Sequence, residues 1–547
     1  MLQFTKIIEK VRRMNFLSKP FKGERQPVYA SNGVVATSQP LAANAGLEIL
    51  KKGGNAVDAA IATAATLTVV EPTSNGIGGD AFAIVWMNGK IHGLNSSGPA
   101  PTSLTIDAVK SLGHDKMPVH GLVPVTVPGV PAAWAALSKK FGRLPLTDVL
   151  APAIRYAEEG YPISPIAGHF WKLSYNRFKE TFKEVYYKEW FNVFSLNDRA
   201  PEVGEIWRSP GHAKTLRAIA ETNAEDFYCG ETAQKIDAFM KEHRGFLSAD
   251  DLASYKPEWV EPVSVNYRGY DVWEIPPNGH GIVATMALNI FQKTIQAPVW
   301  QSAATYHAQL EAMKLAFTDG KAFITEREDM PVDVKYLLSD EYAEKRAALV
   351  GEEALQPEAM ELPRGGTVYL ATADADGNMV SYIQSNYMGF GSGIVIPGTG
   401  ISLQNRGADF SLDAAAPNAL KPGKRTYHTI IPGFLTKDNE AIGPFGVMGG
   451  YMQPQGHFQV VSHMIDFGLN PQAALDMPRW QWIGDKTITV EPEFPLYLVS
   501  ELAARGHKID YTNDFGSFGR GQIIMRLPNG VYVAGTESRA DGQIAAW

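Results

Sequence analysis

Residues 363–369 read Pro-Arg-Gly-Gly-Thr-Val-Tyr, so a threonine follows two glycines and begins a run of strand-forming residues. Cleavage of the bond between Gly366 and Thr367 would free an α-amino group beside the Thr367 hydroxyl. An α-amine has an ordinary pKa of about 7.7–8.0, so it can accept the hydroxyl proton near neutral pH. One residue would then be both nucleophile and base. The pattern alone also fits an ordinary loop before a strand.

The residues after Thr367 predict a β-hairpin. The runs 367–373 and 379–385 are rich in strand-forming residues, and Asp376-Gly377-Asn378 between them is typical of a turn. Thr367 is therefore expected at the first position of the first strand. Gly366 suits the proposed cleavage because glycine tolerates the strained turn in which a hydroxyl reaches the preceding carbonyl.

Other elements are predicted from their start and stop signals. A helix over 42–52 ends at two glycines, and Asn55 with Asp58 forms an N-terminal capping pattern for a small-residue helix to about Val69. Further predictions are a strand over 81–87 with a turn at 88–89, a strand over 268–275, an amphipathic helix over 301–323 and a short helix from Pro471 to Asp476. The middle of the chain is rich in helix signals, and no linker separates independent domains.

Composition excludes several classes of protein. The chain has 547 residues, of which 45% are hydrophobic and 20% charged, as in a folded globular protein. The formal net charge of −8 argues against nucleic-acid binding. Cys229 is the single cysteine, so an intrachain disulfide and a cysteine zinc site are impossible. Dinucleotide, P-loop, nucleophile-elbow and His-Glu-x-x-His patterns fail, so we predict no cofactor and no metal.

The N-terminal residues carry no secretory pattern. Charged residues at positions 6, 9, 10, 12 and 13 interrupt every apolar run, and apolar residues recur at helical spacing. We expect a short helical extension over about 1–26 that docks or frays rather than binding a membrane. The longest apolar stretch, 59–70, is far shorter than the roughly 20 residues that a membrane span needs. A soluble, cytoplasmic protein is expected.

A set of spaced motifs resembles the γ-glutamyltranspeptidases (glutathione hydrolases), and in particular a short bacterial subgroup without a signal peptide. The likeness runs nearly from end to end of the chain. The motifs that carry it are Gly53–Ala60, Glu71-Pro72, Gly76–Gly79, Val125–Gly129, Ala153–Gly160, Asp376-Gly377-Asn378, Ser385-Asn386, Phe390–Gly393, Gly400–Asn405, Asp409-Phe410-Ser411, Lys424–Pro432, Gly446–Tyr451 and Arg539–Gly542.

This resemblance implies an α+β fold, the four-layer αββα sandwich of the N-terminal-nucleophile hydrolases. It also implies a proenzyme that cuts itself into a large subunit, 1–366, and a small catalytic subunit, 367–547. The two subunits would remain together as a heterodimer, which could pair into a dimer of heterodimers. The implied activity is attack on a γ-glutamyl amide, with the acyl-enzyme resolved by water or an acceptor amine. The partner is then a small molecule, with no nucleic acid and no membrane.

The resemblance also assigns site residues position by position. Thr367 matches the nucleophile, and Gly449-Gly450 matches the glycine pair whose N–H groups stabilise the oxyanion. Ser385 stands where the family has a second hydroxyl near the nucleophile. Asn386 is displaced by one residue from the family's asparagine. Asp409 matches the acid that holds the substrate's α-amino group.

Departures from the family pattern leave the substrate open. The family binds the glutamyl α-carboxylate with an arginine in the segment that matches 94–101, and this segment contains none. His428-Thr429 replaces a serine pair, and Arg406 stands where the family has glutamine. Arg406 either supplies the missing carboxylate fork or forms a salt bridge in the site wall. The alternatives are an amidohydrolase of another small carboxylate-bearing amide, such as oxamate, and a processed but inactive binding protein.

Overall fold

The computed structural model describes residues 25–357 and 366–547. Within them, strands β1 to β19 are Val28–Ala30, Gly33–Thr37, Asp80–Met87, Lys90–Ser96, Tyr161–Pro162, Ile206–Trp207, Glu258–Val260, Val263–Tyr267, Tyr270–Glu274, Gly366–Asp374, Met379–Tyr387, Gly433–Lys437, Glu440–Met448, Trp480–Gly484, Thr487–Val490, Lys508–Tyr511, Arg520–Arg526, Tyr532–Thr536 and Gln543–Ala546.

Helices α1 to α19 of the same residues follow in chain order. They are Pro40–Lys51, Ala56–Val70, Ile106–Ser111, Val130–Phe141, Leu146–Val149, Ala151–Glu159, Pro165–Thr181, Lys188–Phe194, Pro210–Thr222, Glu225–Cys229, Glu231–His243, Ala249–Ser254, Gly281–Thr294, Ala303–Phe323, Val334–Leu337, Asp340–Ala347, Gln453–Ile465, Pro471–Asp476 and Leu496–Ala504.

Two large sheets form the centre of the molecule. Sheet 1 has the order β19-β2-β10-β11-β3-β4-β7, and sheet 2 has the order β1-β18-β17-β13-β12-β9-β8. Both sheets combine strands from before and after Thr367, so the two parts of the chain fold as one body. Smaller sheets join β14-β15-β16 and β5-β6.

Four layers result from this arrangement. The two sheets pack face to face over an apolar core that includes Phe82, Tyr369 and Phe434. Helices α1, α2 and α4 cover the outer face of sheet 1, while α13, α17 and α18 cover the outer face of sheet 2. Each helical layer has its own large apolar core. The predicted αββα sandwich is confirmed.

Most predicted elements are confirmed, with small shifts at their ends. Asn55 and Asp58 form the reciprocal capping box of α2, and every residue of that helix is buried. The predicted strands and turn around 81–89 and 268–275 become β3, the Asn88-Gly89 turn and β9. Helix α14 was expected to be amphipathic, but 16 of its 21 residues are buried because it lies between α13 and other elements. The predicted N-terminal extension falls almost wholly outside the described residues.

No helix in the described parts of the chain is long and apolar enough to cross a bilayer.

Candidate active site

Thr367 lies at the edge of an irregularity in the predicted hairpin. It is the second residue of β10, is almost fully buried, and pairs across to β11. The pairing shifts between Gly366 opposite Tyr387 and Val368 opposite Gln384, so β11 carries one extra residue opposite Thr367. Bulges of this kind re-aim side chains and occur next to active sites. Here the bulge places the Ser385 side chain against Thr367.

The Ser385 hydroxyl connects the threonine to the bond that precedes it. Thr367 Oγ1 donates to Ser385 Oγ at 3.0 Å, and Ser385 Oγ donates to the Gly366 carbonyl oxygen at 2.6 Å. The Tyr387 amide also donates to Ser385 Oγ, at 2.7 Å. One hydroxyl therefore contacts both the Thr367 hydroxyl and the Gly366 carbonyl, and its donated hydrogen bond polarises that carbonyl.

The Gly449-Gly450 pair lies at the same end of the sandwich as Thr367. Tyr369, two residues after Thr367, packs its ring on Gly446. Ser381 is paired with Ala371, and its hydroxyl donates to the Phe445 carbonyl at 3.5 Å. Tyr451, which directly follows the glycine pair, donates to the same Asp409 oxygen as Tyr387, the residue opposite Gly366. This shared contact brings the glycine pair towards the Thr367 end of the site.

Both residues of the pair have backbone φ angles that favour glycine. Gly449 has a φ of 140° and Gly450 a φ of 60°, a region that other residues adopt only with strain. Neither N–H group donates to a backbone carbonyl within the described chain, while the Gly449 carbonyl accepts from Met452. Two adjacent N–H groups without a backbone acceptor match the requirements of an oxyanion hole.

Arg406 and Asp409 form a buried ion pair in a short 3₁₀ turn after β11. Arg406 Nη1 donates to Asp409 Oδ2 at 3.1 Å and to Thr429 Oγ1 at 2.9 Å. The guanidinium lies 3.8 Å from the centre of the Tyr387 ring, and 1% of the side chain is exposed. Its Nε and Nη2 atoms are buried without a partner in the described residues. The planar edge formed by these atoms has the donor geometry that a bidentate carboxylate requires.

Asp409 accepts two further hydrogen bonds from tyrosines. Tyr387 donates to Oδ1 at 2.9 Å and Tyr451 donates to the same oxygen at 3.0 Å. Burial, reinforced by the Asp409 charge, raises the pKa of both phenols well above their ordinary value, so they remain donors. Tyr387 and Tyr451 thus connect the Arg406–Asp409 ion pair to Ser385 on one side and to the glycine pair on the other.

Lys321, near the end of α14, lies beside these tyrosines. Its ammonium donates to the Tyr451 hydroxyl and lies 3.7 Å from the centre of that ring and 4.5 Å from the centre of the Tyr427 ring. Burial lowers the pKa of Lys321 to about 8, against the opposing effect of Asp409. No carboxylate lies within salt-bridge distance of Lys321 among the residues that the structure describes.

His428 and Thr429 have different surroundings. Thr429 contacts Arg406, as described above. His428 Nε2 lies 3.0 Å from Asp80 Oδ2 in a fully buried pair, and burial lowers the pKa of His428 and raises that of Asp80 to about 7. The Ile430 amide donates to His428 Nδ1, so a neutral imidazole donates from Nε2 to Asp80. Both ring nitrogens of His428 are therefore held by contacts within the protein.

Asn386 does not contact Thr367 in this structure. Its Nδ2 donates to Ser402 Oγ at 2.6 Å, and its side chain packs closely on Gly76 and Gly79. That Asn386 binds substrate stays a prediction. The bulge in β11 falls at this residue, which lies against the glycine loop, and Tyr387 follows it at the position where the resemblance places the family's asparagine.

One group of side chains elsewhere has the composition of a metal site. The ligand atoms of His307, Glu311 and His507 lie within 4.8 Å of one another, and all three residues are buried. However, the ammonium of Lys314 lies 2.8 Å from Glu311 Oε1 and 3.4 Å from His507 Nδ1. A fixed cation already neutralises the carboxylate, so the group is better described as a closed hydrogen-bond cluster.

Comparison with known proteins agrees with the fold. The model of the γ-glutamyltranspeptidase family matches residues 42–547. The chain belongs to the γ-glutamyltranspeptidase family. It is 35% identical to a glutathione hydrolase-like YwrD proenzyme of Bacillus subtilis, over 94% of this chain and 98% of that protein. It is 32% identical to an oxamate amidohydrolase proenzyme of Klebsiella pneumoniae, over 95% and 99% of the two chains.

Among solved structures, a cephalosporin acylase from Bacillus halodurans is similar over 97% of this chain and 98% of that one, with a TM-score of 0.94 and 62% identity. This γ-glutamyltranspeptidase-family chain is therefore an enzyme with the fold of the N-terminal-nucleophile hydrolases. The family consists of proenzymes that are processed into two subunits and act on small molecules. The named relatives act on different amides, so family membership alone does not identify the acyl group.

Three residues of the candidate site were not predicted from the sequence: Tyr387, Tyr451 and Lys321. Tyr387 occupies the position expected for an asparagine, and Tyr451 directly follows the glycine pair, so both stand in recognisable motifs. Lys321 has no such signal, because it lies on a helix whose other residues are mostly buried. The segment 94–101, which lacks the family's arginine, reaches the site through the Gly98 amide, which donates to Asp80 Oδ1 at 3.1 Å.

Proposed function

We propose that this protein is a self-cleaving amidohydrolase in which Thr367 is the nucleophile and the acyl group carries a distal carboxylate. γ-Glutamyl amides are the reference class of substrate. The cut between Gly366 and Thr367 would produce a large subunit, 1–366, and a small subunit, 367–547. The observation that carries the proposal is the Ser385 hydroxyl, which bridges the Thr367 hydroxyl and the Gly366 carbonyl.

Self-cleavage begins when Thr367 Oγ1 attacks the Gly366 carbonyl carbon. The C–N bond breaks, its nitrogen takes the hydroxyl proton, and Gly366 is left as an ester on Thr367. Water then hydrolyses the ester to give the Gly366 carboxylate and a free Thr367 amine. Ser385 assists because its hydroxyl donates to the carbonyl oxygen on which negative charge develops.

Substrate turnover repeats this chemistry on an external amide. The Thr367 amine accepts the proton of Oγ1 as the oxygen attacks the amide carbon, and the N–H groups of Gly449 and Gly450 stabilise the oxyanion. The amine leaving group takes the proton, and an acyl-Thr367 ester remains. Water, or an acceptor amine, then attacks the ester and restores the threonine.

Arg406 supports the carboxylate requirement. Its Nε and Nη2 atoms are buried and lack partners in the described residues, while Nη1 is held in place by Asp409 and Thr429. Leaving buried guanidinium donors unpaired is costly, and a bidentate carboxylate would satisfy two of them. An acyl group with a distal carboxylate provides that contact.

The test is to purify the protein, sequence the N-terminus of each fragment, and assay a γ-glutamyl anilide and a small panel of carboxylate-bearing amides. We expect one fragment to begin at Thr367, without added protease, and the cleaved protein to hydrolyse at least one of these amides. Thr367→Ala should remain a single inactive chain, whereas the matched control Thr372→Ala, on the same strand, should still be cut. A wild-type chain that stays whole yet is fully active would disprove the mechanism, and a cut but inactive one would favour a binding protein.

A further inference from the structure

Lys321 and Lys314 lie two turns apart on α14, but their surroundings differ. Lys314 is fully buried and satisfied by Glu311, the Leu355 carbonyl and His507. Lys321 is only partly buried, and its ammonium contacts two aromatic rings and the Tyr451 hydroxyl. Lys314 is therefore a structural cation, while Lys321 has no carboxylate within salt-bridge distance among the described residues.

Asp409 has little capacity left for a substrate ammonium. A carboxylate offers about four acceptor positions, and Tyr387, Tyr451 and Arg406 already use three of those on Asp409. Its charge is also cancelled by the adjacent Arg406. An ammonium that approached the remaining position would come close to Arg406 and Lys321, and both would repel it.

The charges around the acyl pocket therefore leave an excess of positive charge. Arg406 and Asp409 cancel as a pair, and Lys321 adds one cation. Asp80, the other carboxyl group on this side, accepts hydrogen bonds from the neutral donors His428, Gln404 and the Gly98 amide. Burial raises the pKa of Asp80 to about 7, so it carries only part of a negative charge at neutral pH. A monoanionic acyl group complements such a pocket better than a zwitterionic one.

We propose that Lys321 is a specificity-determining residue that makes the pocket select acyl groups with a distal carboxylate and no neighbouring ammonium. The inference rests on the proposed function, because it assumes that Thr367 attacks an amide whose acyl group lies beside Arg406. It specifies the acyl half of that substrate as a dicarboxylic acid monoamide. A γ-glutamyl group fits less well, because its ammonium is on the carbon next to the carboxylate and would face the same cations.

Two substrates that differ only in this ammonium provide the test. The cleaved wild-type enzyme is assayed at pH 7 with the p-nitroanilides of glutaric acid and of γ-linked L-glutamic acid. We expect kcat/KM to be about tenfold or more higher for the glutaryl anilide, the effect of one charged contact. In Lys321→Met the preference should largely disappear, mainly through a higher KM for the glutaryl substrate, and Lys321→Arg should retain it.

Several controls separate a charge effect from a structural one. Lys335→Met removes an exposed lysine of the same part of the chain and should not change kcat/KM for either substrate. Self-cleavage and the melting temperature should be alike in wild type and Lys321→Met. If Lys321→Met slows hydrolysis of both anilides equally, Lys321 has a structural role and the inference is overturned. A wild-type enzyme that prefers the γ-glutamyl anilide would also overturn it. A cleaved enzyme that turns over neither anilide would instead contradict the proposed function.

Discussion

The two ends of the candidate site differ in how closely they follow the family pattern. At the proposed reacting end, the chain keeps the residue types that the resemblance assigns at Thr367, Ser385 and Gly449-Gly450, and the Ser385 hydroxyl contacts both Thr367 and the Gly366 carbonyl. At the proposed acyl-binding end, the expected arginine is missing, and Arg406, Lys321 and two tyrosines lie around Asp409 instead.

This difference shows which structural requirements are common to all enzymes that catalyse one class of reaction. Attack on any amide needs the same hydroxyl, base and oxyanion donors, because the reacting atoms do not change. The acyl pocket responds only to the part of the substrate that differs between family members. A chain can therefore retain its chemistry while its selectivity is set by a separate group of charges. Mutations at the reacting end should therefore slow the chemical step, and mutations at the acyl-binding end should change KM.

The largest effect is expected for Ser385→Ala at the reacting end. Loss of the donor to the Gly366 carbonyl should slow self-cleavage by roughly 10²–10³-fold, the usual effect of removing one oxyanion donor. The rate is measured from the appearance of the two fragments on a gel. Ser385→Thr keeps the hydroxyl and should cleave at nearly the wild-type rate. Unchanged cleavage in Ser385→Ala would show that the hydrogen bond to Gly366 has no part in the reaction.

A smaller loss is expected for Gly449→Ala, which keeps the N–H group but not the backbone freedom. At a φ of 140° a side chain is strained by about 1–3 kcal/mol, and the new Cβ would lie 3.0 Å from the Gly519 Cα. We expect kcat to fall by about ten- to a hundredfold as the donors move out of position. Gly113→Ala, at a positive φ in open space, is the matched control for backbone strain. An equal kcat in the two variants would place Gly449 outside the oxyanion hole.

The sequence predicts the structure of some parts of the chain better than that of others. Local signals located the hairpin that begins at Thr367 and the capping box of Asn55, because both depend on neighbouring residues. The role of Asn386 could not be predicted in the same way, because a one-residue bulge in β11 decides which side chain faces Thr367. Lys321 could not be found at all. Its role depends on tertiary contacts with Tyr427 and Tyr451, which lie more than a hundred residues later.

At the acyl-binding end, Arg406→Lys should raise KM for both anilides by about tenfold or more, since a charged contact contributes about 1.5–3 kcal/mol. Lysine can keep one contact to Asp409 but cannot present the two donors that Nε and Nη2 offer. Self-cleavage should continue at the wild-type rate, because that step involves no substrate carboxylate. An unchanged KM would make Arg406 a structural partner of Asp409 and would remove the main argument for a carboxylate-bearing acyl group.

The smallest expected effect is a pH dependence that distinguishes the titration of Lys321 from that of the Thr367 amine. Because burial lowers the pKa of Lys321 to about 8, its positive charge is present below that pH and is lost above it. Asp409 favours the charge and Arg406 opposes it, while Tyr427 and Tyr451 stay neutral because burial raises their pKa. The glutaryl carboxylate is ionised throughout this range, so kcat/KM for the glutaryl anilide should decline as Lys321 deprotonates.

The Thr367 amine titrates in the same range, so the informative quantity is the ratio of kcat/KM between wild type and Lys321→Met. Both enzymes share the amine, and its titration cancels in that ratio. We expect the ratio to fall from about tenfold at pH 7 towards one above about pH 9, because only the wild type has a lysine charge to lose. A ratio that stays constant with pH would mean that Lys321 acts through its contact with Tyr451 and not through its charge.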